Sequence, residues 1–356
     1  MLAIFLSLFN MFDINQLLPF QQHSKKLIYS NEDAPEYNLK IITNRINLGD
    51  ILVDQTVLVT YCLFQHIHVA STEGAGLYLT GETLNFNITD TTFYDVKALD
   101  HECNGGGFYF KGLKLLMHRI VGVECSARNG AIWFSYPYEY YELNFSCGYN
   151  CECLSNTILS NMNYLMYGTY LNVSYCETVL NTPAFFLFTD TEDSLFSFFT
   201  VANTYGSSTM ICECYNCEYF NIINNTATKG EVEGYTYMYG CISVQNPGDP
   251  LKFRNFVFQD NTYTYFVYFY FDRVLRLTDC TIDSGLTYSI RLESGSIELD
   301  GVTRLGKGPT NEFEFIYGIE DRFMPTNAFT FNYEGGFYNL KRTIVKIYLF
   351  SYILSE

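Results

Sequence analysis

The feature that most constrains this chain is a short pattern of apolar, polar, apolar residues that recurs along its middle. It reads Leu84-Asn85-Phe86, Leu113-Lys114-Leu115, Leu143-Asn144-Phe145, Leu171-Asn172-Val173, Phe196-Ser197-Phe198, Phe220-Asn221-Ile222, Leu251-Lys252-Phe253, Leu275-Arg276-Leu277 and Ile297-Glu298-Leu299. The starts are 29, 30, 28, 25, 24, 31, 24 and 22 residues apart. Alternation places the outer two side chains on one face and the middle one on the other, which is a strand signal. An up-and-down barrel would turn about every 8–12 residues, far sooner than this. A coil of two to three dozen residues holds three short strands and three bends, so each copy stacks in parallel on the last, about 4.8 Å away. A leucine-rich repeat has a similar period but needs a Leu-x-x-Leu-x-Leu-x-x-Asn pattern that is missing here. The expectation is an all-β chain, a single-stranded right-handed parallel β-helix (solenoid) with capping segments at both ends. Leu84, Leu113, Leu143 and Leu171 are expected to form one buried column.

A second recurrence marks a corner in the early coils: Gly74-Ala75-Gly76-Leu77-Tyr78-Leu79, Gly105-Gly106-Gly107-Phe108-Tyr109-Phe110 and Gly130-Ala131-Ile132-Trp133-Phe134. Glycine supplies the backbone freedom and close approach that a tight corner between stacked rungs demands. Together with Cys125-Ser126-Ala127-Arg128-Asn129-Gly130-Ala131-Ile132 and the Phe-x-x-Asn stretch Phe258-Gln259-Asp260-Asn261, this pattern resembles the Gly-Gly-Ala-Ile repeats of the polymorphic outer membrane protein family. It also resembles the related large β-helix surface proteins of trichomonad protists. The resemblance covers roughly residues 57 to 305. It implies an adhesive or otherwise interacting surface protein with no catalytic role.

Three segments follow from these patterns. Residues 1–38 read as a signal-like or N-terminal capping segment, 39–307 as the parallel β-helix, and 308–356 as a C-terminal cap or truncated anchor. The run Leu2-Ala3-Ile4-Phe5-Leu6-Ser7-Leu8-Phe9 has the length of a signal-peptide core but lacks a basic flank, so both readings of the first segment stay open. A cap is needed in either case, because an open rung exposes unpaired backbone groups. No stretch approaches the roughly 20 apolar residues that span a bilayer.

The chain carries 31 Tyr and 31 Phe, a composition suited to pleated surfaces. Its formal net charge of −17, with scattered Lys and Arg, excludes a phosphate-binding surface, so no nucleic-acid partner is expected. Twelve cysteines occur together with four Asn-x-Ser/Thr sequons, which makes Asn87, Asn144, Asn172 and Asn224 glycosylation candidates. The two signals favour an extracellular or cell-surface location. Cys147, Cys151, Cys153, Cys212, Cys214 and Cys217 are the disulfide candidates, with buried thiols as the competing reading. Zinc is disfavoured because paired Cys-x2-Cys knuckles are missing.

No motif identifies a reaction, and no catalytic residue, cofactor or metal is assigned. Gly-x-Ser-x-Gly, phosphate-loop and His-Glu-x-x-His patterns are absent. His66-Ile67-His68 would place two imidazoles on one strand face, without a third ligand nearby in sequence. The outward stripe Asn85, Lys114, Asn144, Asn172, Ser197, Asn221, Lys252, Arg276 and Glu298 is mixed and mostly neutral. The acidic group Asp272, Asp279 and Asp283 with Arg276 and Arg291 is the one carbohydrate-active candidate. The leading reading is a non-enzymatic β-helix contacting a host-cell or matrix protein, a glycan, or copies of itself. A polysaccharide lyase or glycoside hydrolase of the pectin-lyase-like fold and a structural coat component are the alternatives.

Overall fold

The protein is an all-β parallel solenoid. The structure, a computed structural model, describes residues 26–29, 40–49, 56–100, 102–153, 159–163, 165–178, 183–189, 191–206, 208–227, 240–244, 250–263, 265–269, 273–283, 290–292 and 296–305. Among the described residues every strand pairing is parallel, and each strand pairs with a segment one coil earlier or later. The earliest strand, Lys26–Tyr29, lies within the segment 1–38 and pairs with Thr56–Val69. The rest of that segment and all of 308–356 lie outside the described residues.

Two corners recur in each coil, and both are made by residues in the left-handed backbone region. Apart from Gly301 in the last described coil, the first corner is occupied by Tyr61, Asp90, Arg119, Phe145, Tyr170, Phe198, Tyr219, Asn255 and Asp279. The second is occupied by His66, Asp95, Glu124, Asn150, Tyr175, Asn203, Asn224 and Asp260, each five residues after its partner on the first. Their φ values run from 49° to 61°. Asn and Asp tolerate this region, whereas a bulky residue loses about 1–2 kcal/mol by adopting it. Contacts between equivalent corner residues of successive coils offset that cost. Phe145 stacks on Tyr170, Tyr170 on Phe198 and Phe198 on Tyr219, with ring centroids 4.7, 4.9 and 4.9 Å apart and planes within 9°. Arg119 forms an ion pair with Asp90, whose carboxylate is almost wholly buried.

Between the corners lie four residues whose first and third side chains point inward. Thus Phe199, Phe220 and Phe256 form a buried stack, with centroids 4.8 and 4.6 Å apart. Immediately after the second corner, one inward position runs Val96, Cys125, Cys151, Cys176, Thr204, Asn225, Asn261 down the axis, as the neighbouring register requires. The polar members satisfy backbone groups at the bend. Asn225 Oδ1 accepts from Thr204 N at 2.9 Å, and its Nδ2 donates to Val201 O at 2.8 Å. Asn261 Nδ2 likewise donates to Ile222 O at 2.6 Å. This is the physical role of the Phe258-Gln259-Asp260-Asn261 stretch: a core ring, a left-handed corner, and an amide that caps it.

The glycine recurrence stacks as expected, with Leu77, Phe108 and Trp133 in register and Gly74, Gly105 and Gly130 all at positive φ. A Cβ on Gly130 would collide with the Trp133 carbonyl oxygen, so only glycine fits. Gly122 is required for another reason. It continues the column begun by Phe64 and Phe93, and Ile132 fills the space its side chain would take.

The expected leucine column is not what the triplets form. Leu84 and Leu113 belong to copies in one register, with Asn85 opposite Lys114. Leu143, however, sits between Met117 and Gly168, and Leu171 sits beyond the first corner between Ser146 and Phe199. Two effects displace them. One extra residue bulges from Trp133–Tyr149, where Gly112 and Lys114 face Pro137 and Tyr140. More generally, every arm of a coil alternates with period two, so the triplet marks an arm without saying which. The expected outward stripe divides in the same way: Asn172 and Asn221 lie beyond the corner and are buried, while Lys252, Arg276 and Glu298 do share one column.

The corner analysis predicts an inversion of the usual glycine penalty. Phe198→Ala and Phe198→Gly both remove ring stacking, but glycine also removes the backbone cost, so it is the milder change by about 1 kcal/mol. At Val201, three residues on in extended conformation, glycine is the harsher change by a similar amount. Urea unfolding midpoints of the four variants check both orders.

Candidate interaction surface

Outward-facing tyrosines converge where the glycine arm meets the bulge. Successive coils contribute Tyr78, Tyr109 and Phe134, stacked with centroids 5.3 and 5.7 Å apart. The Arg45 guanidinium lies 5.2 Å from the Tyr78 centroid. It is anchored there by hydrogen bonds to Gly74 O at 3.0 Å and Glu73 O at 2.8 Å. Along the strand Trp133–Tyr149 the period of two turns Phe134, Tyr136, Tyr140, Glu142 and Asn144 to the same outer side. The bulge pushes Tyr138 outward, leaving it 39% exposed. Tyr136 meets Phe134 edge to face at 4.9 Å, and Tyr140 packs against Tyr167 of the next coil at 6.0 Å.

Polar groups border these rings. Tyr140 Oη donates to Glu142 Oε2 at 2.8 Å, and Asn144 Nδ2 donates to Glu142 Oε1 at 2.7 Å. Thr169 Oγ1 donates to Asn144 Oδ1 at 2.5 Å. Burial, and then Glu73, push the Tyr109 phenol up to about 12, while burial and the Glu142 hydrogen bond do the same for Tyr140. Both remain neutral donors at physiological pH. Stacking turns the faces of Tyr109 and Phe134 toward one another, so Phe134 is buried and Tyr109 stays half-buried above it. The arrangement offers rigid amphipathic contact area with hydrogen-bonding rims, the chemistry that antibody loops obtain from Tyr, Ser and Asn.

A second cluster lies at the second corner. His66 and His68 converge on Asp95, with His66 Nδ1 2.9 Å from Oδ2 and His68 Nε2 3.1 Å from Oδ1. Lys97 Nζ lies 2.6 Å from the same Oδ1. Asp95 is 29 residues after His66, one coil later, which is why it looks remote in sequence. Burial alone would push its carboxyl up, but hydrogen bonds from Lys97, His66 and His68 together outweigh that and hold it at about 2. Among the described residues, no three His, Cys, Asp or Glu side chains are grouped to hold a metal ion.

The remaining sequence candidates are dispersed. Asn87 faces outward and is half-buried, and Asn144 has both ends of its amide engaged as above. Asn172 is 1% exposed, a burial incompatible with a glycan. Asn224 is exposed at the second corner, where Nδ2 donates to Asn203 Oδ1 at 2.6 Å. Cys147, Cys151, Cys153, Cys214 and Cys217 are buried thiols in several different columns. Cys212 lies in the strand Ser208–Glu213, opposite Leu187. Of the late acidic group, Arg276 pairs instead with Glu298 at 2.7 Å, and Asp279 is an exposed corner residue. Asp272 lies outside the described residues, as do the side chains of Asp283 and Arg291.

Compared with protein-family models, characterised proteins and solved structures, the chain matches none. Among the described residues no helix is long and apolar enough to cross a membrane.

Asp95 supplies a pH dependence of defined sign. Its folded carboxyl is more acidic than an unfolded aspartate, which titrates at about 3.9, so its contribution is complete above that pH. The contribution is then lost as the pH falls toward 2. Asp95→Asn therefore lowers the thermal midpoint at pH 7, and the difference from the parent narrows as pH drops from about 4 to 2. Thermal unfolding across that range checks it.

Proposed function

We propose that this chain is a non-enzymatic interaction module, extracellular or held at a cell surface, whose tyrosine face engages a host-cell or matrix protein or a glycan. The observation that carries the reading is the outward cluster of Tyr78, Tyr109, Tyr136, Tyr138 and Tyr140, edged by Arg45 and Glu142. Tyrosine and arginine are enriched among the residues that dominate binding energy at protein interfaces, and tyrosine buries a large rigid area at small entropic cost. Cysteine content and the outward sequons at Asn87 and Asn224 support the location. The same reading takes the solenoid as right-handed, the hand favoured for parallel crossover connections, with a cap at each end. The stacked Gly130-Ala131-Ile132 corner and the capping Asn261 support kinship with the polymorphic outer membrane protein repeats and trichomonad surface β-helices.

The test uses the full chain and a Tyr136→Ser/Tyr138→Ser/Tyr140→Ser variant, both checked for β structure by circular dichroism. Each is applied to immobilised glycans and extracellular matrix proteins. The expected result is saturable binding by the parent to at least one class, weakened more than about tenfold in the variant, or about 1.4 kcal/mol. No binding by the parent, or equal binding by both, overturns the proposal, as does cleavage of an acidic polysaccharide by the parent.

A further inference from the structure

The inward column after the second corner places three thiols on consecutive coils. Glu152 pairs with Ser126 and Glu177, and Tyr149 pairs with Val123 and Ser174, which sets Cys151 between Cys125 and Cys176. Backbone bonds confirm the stacking: Glu152 N donates to Cys125 O at 3.0 Å, and Glu177 N to Cys151 O at 2.9 Å. Each of the three residues is 1% exposed. The Cys151 backbone N–H donates to Cys176 Sγ at 3.5 Å, while the Cys151 thiol donates to Tyr149 O at 3.3 Å. Other candidate cysteines face different partners across the rungs. Cys147 faces Val121 and Asn172, Cys153 faces Ala127 and Thr178, and Cys217 faces Phe196 and Phe253.

We infer that Cys151 is the centre of a cross-coil disulfide site and bonds to Cys125 or Cys176 when the chain folds in the presence of a small-molecule disulfide. Neighbouring parallel rungs lie about 4.8 Å apart, within the Cα separation a disulfide spans. In the reaction one cysteine thiolate attacks the oxidant disulfide, forming a mixed disulfide and expelling one oxidant thiolate. The second cysteine thiolate then attacks the mixed disulfide, closing the protein S–S bond and expelling the other. Two protein thiols lose two protons and two electrons, and one oxidant disulfide becomes two thiols. Burial pushes the Cys125 and Cys151 thiols well up, so the bond forms fastest before the coils close. Only one pair closes at a time, because both bonds would use the same Cys151 sulfur. The site is independent of the ligand proposed for the tyrosine face.

The experiment is disulfide mapping by mass spectrometry on the full chain, refolded in mixed reduced and oxidised glutathione and then alkylated. Folding is verified by circular dichroism. The expected result is a Cys125–Cys151 or Cys151–Cys176 peptide in most molecules and a higher unfolding midpoint that reductant reverses. Cys151→Ser abolishes both bonds, and Cys125→Ser shifts the population to Cys151–Cys176. Incubating already folded, reduced chain with oxidised glutathione makes the test independent of refolding, and the same bond is expected there more slowly. Both preparations showing all three thiols alkylated, or Cys151 joined to any other cysteine, would overturn the inference.

Discussion

The solenoid depends on a chain reversal made almost without glycine: among the described residues two left-handed positions, five apart, recur at the first and second corners, and Gly301 alone fills one of them with glycine. A single such residue among L-amino acids is a local defect, but here the same defect is repeated at the same place on successive described coils. Repetition turns a cost into an alignment. Each corner side chain stands directly over its equivalent, so aromatic, ionic and amide pairs form along the axis. The Phe145–Tyr170–Phe198–Tyr219 stack, the Asp90–Arg119 pair and the Asn203–Asn224 amide contact are three chemical solutions to that one geometric problem.

Inside the second corner the same logic acts on smaller groups. The position that follows must turn into the core while backbone groups at the bend remain to be satisfied. Asn225 and Asn261 do this with amides, and Thr204 shares the network. The cysteines use a weaker version, their sulfurs donating to the carbonyl two residues earlier, as Cys151 does to Tyr149 O at 3.3 Å and Cys176 to Ser174 O at 3.3 Å. Amide, hydroxyl and thiol are thus interchangeable here, which explains why, among the described coils, the Phe-x-x-Asn motif stands in full at Phe258–Asn261 and elsewhere in disguise.

The sequence was informative about architecture and poor at phase. Alternation and interval size led to parallel stacked coils, and the Gly74, Gly105 and Gly130 corners fall where their recurrence placed them. The triplets misled because alternation is a property of every arm, and because the bulge at Tyr138-Glu139 is invisible to a pattern that only counts apolar positions. The left-handed corners were legible where Asn or Asp supplies them and illegible where Phe, Tyr or Arg does, since no intrinsic preference marks those residues. His66 and His68 illustrate the remedy. Adding the local coil length of 29 residues to each leads directly to Asp95 and Lys97, the groups they meet.

A solenoid with uniform coils presents the same groove at every level and has no unique place to bind. What distinguishes one level here is the bulge in Trp133–Tyr149, opposite the regular strand Phe108–Val123. It interrupts the rung register, turns Tyr138 into solvent, and lets Tyr140 reach both Glu142 on its own strand and Tyr167 on the next coil. Bulges stop pairing and redirect side chains, and they persist when the redirected group is of use. The surrounding stack from Arg45 to Phe134 then supplies the rigidity that an isolated exposed tyrosine would lack. The tyrosine cluster arises where the rung register breaks between strands that are otherwise in regular parallel register.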